Sequence, residues 1–211
     1  MKPGPFIRKL FGPYENRISA AYRSIYLDMD AFVELMHQWK PMASEILEVG
    51  CGEGAVTERL RITYPNSKIT AIDITPRIGR LYRGSRRDVE FIQSDVREIA
   101  KKKPEHYDFV VLSDVLHHVP IEFRRELLDA IRTLLAPKGS FIFKDWQRNH
   151  APIHWLCYAS DRFLTGDRIN YMTRQEMRGL LEVSFGPDAL VGERRIAPWW
   201  NNIATLVQRQ H

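Results

Sequence analysis

The stretch Ile46-Leu47-Glu48-Val49-Gly50-Cys51-Gly52-Glu53-Gly54 decides how the rest of the chain folds. Ile46, Leu47 and Val49 form the short apolar run that is typical of a strand buried on both faces of a sheet. Three alternating glycines follow and predict a tight turn, and the pattern from Ala55 onward predicts a helix directly after it. Because the N–H groups of a helix N-terminus face such a turn, we interpret the stretch as a loop that holds a nucleotide cofactor.

Two carboxylates support this interpretation. Glu48 lies at the end of the predicted strand, where an acid suits a cationic ligand better than a packed core. A second apolar strand, residues 68 to 73, ends in Asp73 at about the 20-residue spacing that places a carboxylate beside the ribose hydroxyls of a nucleotide. The spacing predicts a ribosyl cofactor without identifying it, since Gly50, Gly52 and Ala55 also fit the pattern of a dinucleotide-binding loop.

Composition bounds the class of protein. The 211 residues suit one domain, with an ordinary apolar fraction of 44% and an ordinary charged fraction of 27%. No apolar run approaches the ~20 residues of a membrane span, and the first five residues lack the apolar core of a signal peptide, so we expect a cytoplasmic protein. Cys51 and Cys157 are too few for a disulfide framework or a zinc cluster, and we interpret both as reduced packing residues.

The net charge of +5 bears on possible partners. It permits weak attraction to anionic substrates or to a membrane surface. The basic residues cluster only at 77 to 87 and at 101 to 103, where they could simply be solvated, so the charge alone does not indicate nucleic-acid binding. We expect no nucleic-acid partner, no integral membrane association, and either a monomer or a homodimer.

The N-terminal part differs in pattern from the rest of the chain. Residues 1 to 17 combine proline, glycine and basic residues and predict an irregular leader, whereas residues 18 to 40 have the apolar spacing of one or two helices that end at Pro41. Such a piece cannot extend a sheet, so residues 1 to 43 are predicted to form a leader and a helical lid within a single domain of residues 1 to 211. Tyr22 and Tyr26 then become candidates to contact the substrate.

Strands and helices alternate through the middle of the chain. Strands are predicted at 68 to 73, 89 to 93, 107 to 113 and 140 to 144, and helices at 76 to 83 and along a core face formed by Phe123, Leu127, Ile131, Leu134 and Leu135. Such regular alternation with short connections requires a parallel, doubly wound sheet with right-handed crossovers.

The last third departs from this alternation. An aromatic-rich insertion at residues 150 to 165 precedes a helix from 173 to 182, at whose start Thr173 and Glu176 have the spacing of a capping box. Two strand-like runs, 189 to 196 and 202 to 207, are joined by a link too short for a helical crossover, so we predict an antiparallel hairpin. The predicted fold class is α/β: a doubly wound, mostly parallel seven-stranded sheet with an antiparallel C-terminal hairpin strand, built from residues 44 to 211.

Five motifs in this order and spacing resemble those of the class I S-adenosylmethionine-dependent methyltransferases. The matching pieces after residue 43 are ILEVGCGEG, AIDIT with Asp73, FIQSDV with Asp95, YDFVVLSDVLHHV, and LLAPKGSFIFKD. The closing hairpin also matches, because this family adds an antiparallel final strand to a Rossmann-like sheet and the dinucleotide dehydrogenase fold does not. The resemblance covers nearly the whole chain after the N-terminal part.

The resemblance implies a set of cofactor-binding residues for S-adenosylmethionine. Gly50, Gly52 and Gly54, with Cys51 between them, would cradle the methionine part, and Glu48 would lie near its charged end. Asp73 would accept hydrogen bonds from the ribose hydroxyls, Ile74 would pack on adenine, Asp95 would receive the adenine amino group, and Val96 would lie beside it. Ser113 and His118 would lie at the carboxyl end of the fourth strand. A different interpretation of Asp95 is that it caps the short helix that follows.

Methyl transfer needs a base only if the acceptor must lose a proton. His117 and His118 are the best-placed candidates, because they directly follow the fourth strand and imidazole titrates nearest to neutral pH. A packing role for either histidine stays open, and Asp145 and His154 are weaker candidates. Asp114 and Asp145 could suggest a divalent metal, but this set of ligands is incomplete, and we expect no metal site.

The acceptor is inferred mostly from missing motifs. The fourth strand ends in Ser113-Asp114-Val115-Leu116 and lacks the proline-rich motif of many amino-group methyltransferases, which leaves a small molecule. The LHHV turn and the aromatic insertion make the chain similar to quinone and natural-product methyltransferases, so we expect O- or C-methylation of an aromatic or lipid-like acceptor. Trp155, Tyr158 and Trp199 could wall its pocket, or these aromatic residues could complete the core. An RNA or protein methyltransferase and a nicotinamide-dependent oxidoreductase remain as alternatives.

Overall fold

A seven-stranded sheet forms the centre of the protein in this computed structural model, which describes residues 25 to 160 and 169 to 209. The strands are β1 (Glu45–Val49), β2 (Lys68–Asp73), β3 (Val89–Gln93), β4 (Tyr107–Ser113), β5 (Leu135–Trp146), β6 (Leu190–Ile196) and β7 (Asn202–Gln208). The described α-helices with defined bounds are α1 (Met29–Trp39), α2 (Ala55–Thr63), α3 (Val96–Lys102), α4 (Ile121–Leu134), α5 (Pro152–Ser160) and α6 (Arg174–Phe185).

The strand order is β3-β2-β1-β4-β5-β7-β6. Strands β1 to β5 pair in parallel, whereas β7 runs antiparallel to both of its neighbours, β5 and β6. This arrangement confirms the predicted fold class, including the closing antiparallel hairpin. The strand order reverses beside β1, so the helices that follow β1 and β4 lie on opposite faces of the sheet, and open α/β sheets bind their ligands at such a point.

The central strands are buried on both faces because helices cover each side of the sheet. In β1, Leu47 and Val49 pack into one apolar cluster with helices α4 and α6, while Ile46 packs into a second cluster with α1 and α2. This division explains why the sequence of β1 is continuously apolar instead of alternating.

The helix predicted for residues 76 to 83 is wrong. The structure has a series of turns there, and Gly79 adopts a φ of +59° that interrupts a helix. A Cβ at this position would lie 2.5 Å from the Phe91 ring, so only glycine fits. The Gly79 and Leu81 N–H groups donate to the carbonyls of Gly52 and Glu53, which ties this connection to the glycine turn after β1.

The predicted core face of α4 is only partly right. Ile131 and Leu134 are buried, but Phe123 is exposed, and the buried positions include Arg124. The Arg124 guanidinium donates to the carbonyls of Val119 and Asn170, at 3.0 Å and 2.6 Å. These bonds satisfy a charged group that would otherwise be costly to bury.

Helix termini follow the predicted chemistry where the structure describes them. The Thr173 hydroxyl accepts the Glu176 N–H, and the Glu176 carboxylate accepts the Thr173 N–H, so the predicted capping box of α6 is confirmed. Helix α1 begins after Asp28, whose side chain accepts the Ala31 N–H. The predicted leader and the candidate residue Tyr22 lie outside the described residues. Across residues 25–160 and 169–209, the helices are too short or too polar to cross a bilayer.

Candidate active site

Two adjoining cavities open at the carboxyl ends of the parallel strands. The first, here called the glycine-loop cavity, has a volume of about 550 Å³. Its lining includes Gly52, Asp73, Ile74, Ser94, Asp95, Val96, Val115, Phe123 and Leu127. The second, the histidine cavity, has a volume of about 310 Å³. Its lining includes Tyr26, Glu48, Cys51, Ser113, His117, Lys144, Trp146, Cys157, Tyr171 and Asn202. Gly50, Asp114 and His118 line both cavities and mark their junction.

The glycine turn lines the cavity with backbone that a ligand can approach closely. Gly50 and Gly52 have φ angles of +74° and +51°, which favour glycine. A Cβ on Gly50 would lie 2.2 Å from a Val115 methyl carbon, whereas a Cβ on Gly52 would meet no atom within 4 Å. Gly52 therefore borders open space in the glycine-loop cavity, and any side chain there would fill it.

Asp73 lies at the end of β2, beside the glycine turn. One of its carboxylate oxygens accepts the Gly52 N–H at 2.7 Å, and the other accepts the Thr75 N–H at 2.8 Å. A carboxylate oxygen has a second lone pair, so both can accept further hydrogen bonds from hydroxyl groups in the cavity. The exposed Ile74 side chain adds an apolar surface next to this acceptor.

Asp95 is the cap of α3, as one interpretation predicted, and it also borders the glycine-loop cavity, whereas its contact with an adenine amino group stays a prediction. It caps α3 by accepting the Arg97 N–H at 2.8 Å, and its side chain also lines the glycine-loop cavity. The Arg97 guanidinium donates two hydrogen bonds to this carboxylate. These bonds lower the pKa of Asp95, so the group is an ionised acceptor at neutral pH.

Glu48 is a buried acid at the edge of the histidine cavity. One carboxylate oxygen accepts the Thr57 hydroxyl hydrogen at 2.5 Å. Burial raises the pKa of Glu48 to about 7, against the effect of the Thr57 bond and with a contribution from the negative charge of Asp73. A cation bound in this cavity would stabilise the ionised form of Glu48.

His117 and Asp145 form a buried pair behind the histidine cavity. The His117 Nδ1 atom lies 2.5 Å from one Asp145 oxygen, and the His117 backbone N–H donates to the other. Although burial alone would raise it, the pKa of Asp145 is lowered by the His117 charge and hydrogen bond, by the Trp146 N–H and by Lys144. An ionised Asp145 keeps the proton on Nδ1, which leaves Nε2 as the basic nitrogen of His117.

A second ion pair, of which only the lysine is buried, joins the same two strand ends. The Lys144 ammonium lies 2.7 Å and 2.6 Å from the two Asp114 oxygens, and Lys144 is only 1% exposed. Among the described residues, Asp114, His117 and Asp145 are spaced to hold a metal ion. However, Asp114 already accepts from Lys144, and Asp145 accepts from His117 and Trp146. The resident cation at this position is therefore the Lys144 ammonium.

Aromatic side chains form the other wall of the histidine cavity. Tyr26 packs edge-on against Trp146 at 5.8 Å between ring centroids, and the His117 ring packs on Tyr171 at 4.7 Å. Four further residues line this cavity that the sequence patterns did not indicate: Trp146, Tyr171, Lys144 and Asn202. The positions of Lys144 and Trp146 could have indicated them, because they flank Asp145 at the carboxyl end of a predicted strand. Nothing in the sequence around Tyr171 indicates a place in the site, since this residue reaches the cavity through tertiary packing.

Several predicted substrate residues lie away from both cavities. Trp155, Tyr158 and Trp199 are exposed and line neither cavity. For the two residues on α5 the reason is that this helix turns His154 and Cys157 inward instead. His154 lies behind the cavity wall, where its Nδ1 accepts the Trp146 indole N–H at 3.1 Å. Asp145 supports His117 and does not line the cavity itself. Gly54 is the N-cap of α2 and lines neither cavity, although its neighbours Glu53 and Ala55 line the histidine cavity.

Sequence relatives point to one family. The methyltransferase domain family matches residues 21 to 184 of this chain. The ubiquinone biosynthesis O-methyltransferase of Vibrio atlanticus is 26% identical over 160 residues, a match that covers 67% of this chain and 65% of that protein. The chain thus spans just under two thirds of the length of this relative.

Solved structures agree in fold. The 1,6-didemethyltoxoflavin-N1-methyltransferase of Burkholderia thailandensis, solved with its namesake compound and S-adenosylhomocysteine, has a TM-score of 0.68 at 17% identity, covering 97% of this chain and 88% of that one. A protein from Pyrococcus horikoshii has a TM-score of 0.70 at 17% identity, covering 90% of this chain and 92% of that one. Because the family match extends over well more than half of its length, the chain belongs to the methyltransferase domain family.

Proposed function

We propose that this protein transfers a methyl group from S-adenosylmethionine to a weakly acidic hydroxyl group of a small aromatic or lipid-like molecule. The observation that carries this proposal is the junction of the two cavities at Gly50, Asp114 and His118. A cofactor in the glycine-loop cavity and an acceptor in the histidine cavity would meet there, beside the buried His117 and Asp145 pair.

The residues of the glycine-loop cavity fit the proposed cofactor. Gly52 leaves open space against its backbone, Asp73 offers acceptors for ribose hydroxyls, and Ile74 offers an apolar surface for a flat base. Glu48, at the edge of the histidine cavity, would pair with the positive charge of the methionine end, which would then lie at the junction of the two cavities. The Burkholderia thailandensis enzyme was solved with S-adenosylhomocysteine, the product form of the same cofactor, on the same fold.

When bound, S-adenosylmethionine supplies an electrophilic methyl group on a sulfonium. The protein's part is to hold the acceptor in line with that group and to exclude water, which can contribute roughly 7 to 11 kcal/mol in the best intramolecular models. His117 Nε2 accepts the proton of the acceptor hydroxyl as its oxygen becomes the nucleophile. The imidazolium that results is balanced by the Asp145 carboxylate 2.5 Å from Nδ1, so Asp145 is a positioning residue for this step.

The lining of the histidine cavity supports the class of acceptor. Tyr26, Trp146 and Tyr171 offer aromatic faces, while Lys144 and Asp114 add an ion pair to the same lining. A planar molecule with one acidic hydroxyl would satisfy both groups, because rings pack on the aromatic faces and the developing oxyanion faces the ammonium. The Vibrio atlanticus relative is named as an O-methyltransferase of ubiquinone biosynthesis, which agrees with this chemistry.

The first experiment tests the cofactor. Calorimetric titration with S-adenosylmethionine, S-adenosylhomocysteine and NAD(H) should show binding of the first two only, and Asp73→Ala should abolish it. The matched control is Asp30→Ala, an exposed acid on α1 whose loss should change nothing. Binding of NAD(H) alone would overturn the proposal in favour of an oxidoreductase.

The second experiment tests the base. His117→Asn keeps a donor that can reach Asp145 but removes the basic nitrogen, so we expect unchanged S-adenosylhomocysteine binding and at least a hundredfold loss of methyl transfer in a screen of phenols and hydroxyquinones. Transfer that survives in His117→Asn would exclude His117 as the base. Methylation of RNA or protein, with none of small molecules, would overturn the acceptor class.

A further inference from the structure

Large apolar side chains are concentrated at one rim of the molecule. We call them the aromatic patch, which comprises Ile25, Trp155, Leu156, Tyr158, Trp199 and Trp200. Trp155 is 62% exposed, Leu156 55%, Trp199 47% and Trp200 58%. Single exposed apolar residues are ordinary on a protein surface, but a group of this size, rich in tryptophan, marks an interaction site.

Helix α5 supplies half of the patch and has an unusual composition. Its sequence, Pro-Ile-His-Trp-Leu-Cys-Tyr-Ala-Ser, contains no acidic or permanently charged residue. One face carries His154 and Cys157, which are buried, while Trp155, Leu156 and Tyr158 project outward. A helix that is apolar all round is normally buried, so the outward face of α5 lacks the polar residues that contact with water alone would favour.

Hydrogen bonds join α5 to the other half of the patch. The Asn149 and Asn201 side-chain amides bond to each other, which ties the start of α5 to the turn that carries Trp199 and Trp200. The Trp199 indole N–H donates to the Ile25 carbonyl at 2.5 Å. The two halves therefore border the same rim.

Residues that neighbour the patch along the chain line the histidine cavity, although the patch residues themselves do not. Cys157, on the inner side of α5, lines this cavity, and so does Tyr26, which follows Ile25. Asn202, which follows the hairpin turn, also lines it and donates to the Tyr26 carbonyl at 2.6 Å. Each exposed part of the patch is thus within a few residues of the wall of the proposed acceptor site.

The charges beside the patch favour an anionic surface as its partner. Arg194 and Arg195 are exposed on β6 next to the turn, and Arg195 donates to the Trp200 carbonyl at 2.7 Å. Within the described part of the chain, neither arginine pairs with a carboxylate. A second copy bound through the same patch would bring these like charges together across a twofold axis, which disfavours self-association.

From these observations we propose that the aromatic patch docks onto a lipid bilayer containing anionic lipids, with the outer face of α5 inserted at the level of the headgroups. Tryptophan and tyrosine have an apolar body and a polar tip that suit this interface. Docking there would turn the histidine cavity toward the bilayer, from which an apolar acceptor could enter without crossing water. The contact goes beyond methyl transfer and is measured without cofactor or acceptor.

Vesicle binding tests the proposal directly. The full chain is incubated with phosphatidylcholine vesicles, with and without phosphatidylglycerol, and the partition coefficient is measured by sedimentation. We expect binding to the anionic vesicles, quenching of tryptophan fluorescence by brominated acyl chains, and an approximately tenfold loss in the double variant Trp155→Ser/Leu156→Ser. Arg194→Gln/Arg195→Gln should weaken binding to anionic vesicles without changing the weaker binding to neutral ones.

The matched control is Ile62→Ser/Val183→Ser, which removes two exposed apolar side chains from α2 and α6 outside the patch and should bind like the original chain. Unchanged circular dichroism and melting temperature would establish that the variants fold. Absence of vesicle binding would overturn the proposal, and so would binding that is unchanged in both Trp155→Ser/Leu156→Ser and Arg194→Gln/Arg195→Gln. A dimer that the patch variants dissociate, without vesicle binding, would assign the patch to a second copy of the chain instead.

Discussion

The ion pair between the buried Lys144 and the half-exposed Asp114 leads to an asymmetric prediction about stability. The two side chains share two short hydrogen bonds, but they differ in exposure: the Lys144 side chain is 1% exposed and that of Asp114 is 42% exposed. Removing either member breaks the same bonds. The free-energy cost should depend on which charge is left behind, because a half-exposed carboxylate can be solvated and a buried ammonium cannot.

The magnitudes follow from this difference in solvation. In Lys144→Met the apolar chain volume is kept and Asp114 turns to water, so we expect a loss of about 1 kcal/mol. Asp114→Asn leaves the ammonium buried without its carboxylate, so we expect the free energy of unfolding to fall by about 3 kcal/mol. This value is at the low end for breaking a buried pair, because the amide oxygen still accepts one bond and Asp145 lies nearby. Asparagine tolerates the positive φ of residue 114 as aspartate does, so backbone strain adds nothing.

Urea unfolding followed by circular dichroism measures both free energies. The difference of about 2 kcal/mol corresponds to a gap of roughly 4 to 8 °C in melting temperature for a chain of this size. Asp30→Asn is the matched control, because it breaks an exposed pair with Arg59 and should cost almost nothing. Equal losses in the two variants, or a larger loss in Lys144→Met, would refute the reasoning from solvation.

Four further predictions concern other parts of the site and fold. The pKa of Glu48 is about 7 in the folded chain and near 4.5 when unfolded, so stability falls by about 3 kcal/mol as the pH rises from about 4.5 to 7, and Glu48→Gln should remove this slope in urea titrations. If Glu48 must ionise to hold a cation, the affinity for S-adenosylmethionine should also rise about tenfold from pH 6 to pH 8. Calorimetric titration at both pH values measures this rise, which Glu48→Gln should lack. Gly50→Ala should lower the free energy of unfolding by about 3 kcal/mol or more, because its Cβ would overlap Val115. Gly52→Ala should lower it by only about 1 kcal/mol but should abolish cofactor binding. Equal stability of the two variants would contradict this expectation. Thr173→Ala should cost about 1 kcal/mol by removing the cap of α6, and a melting temperature unchanged within error would show that the cap is dispensable.

The sequence predicted the sheet well because continuous apolar runs have one stable place, in strands covered on both faces. It failed at residues 76 to 83, where Gly79 must fit against the Phe91 ring, a contact that no local pattern reveals. The prediction that Phe123 lies in the core failed for the same reason. Its spacing matched the core face of a helix, but α4 turns its side chain toward the glycine-loop cavity. Local periodicity indicates which face of a helix or strand is apolar, but tertiary packing decides whether that face contacts the core or a cavity.

The candidate site shows a similar division. Five site residues could be named from sequence, because each lies at the carboxyl end of a strand or within a few residues of it, and these ends share one edge of a parallel sheet: Glu48, Asp73, Asp95, His117 and His118. The aromatic wall could not be assigned in this way. Trp155 and Trp146 have the same apolar character in the sequence, and only the rotation of α5 and the end of β5 place Trp146 inside and Trp155 outside.

The position of β7 in the sheet has a consequence for synthesis of the chain. This strand is the last of the seven to leave the ribosome, yet it lies between β5 and β6, which are made earlier. Until it inserts, β5 presents an open edge along Phe141, Ile142 and Phe143, and β6 has no strand to pair with. An unpaired apolar edge invites aggregation, so a chain in which β7 has not yet inserted should aggregate more readily than the complete fold. Asn202, the first residue of β7, also lines the histidine cavity, so the acceptor pocket is completed only when this insertion closes the sheet.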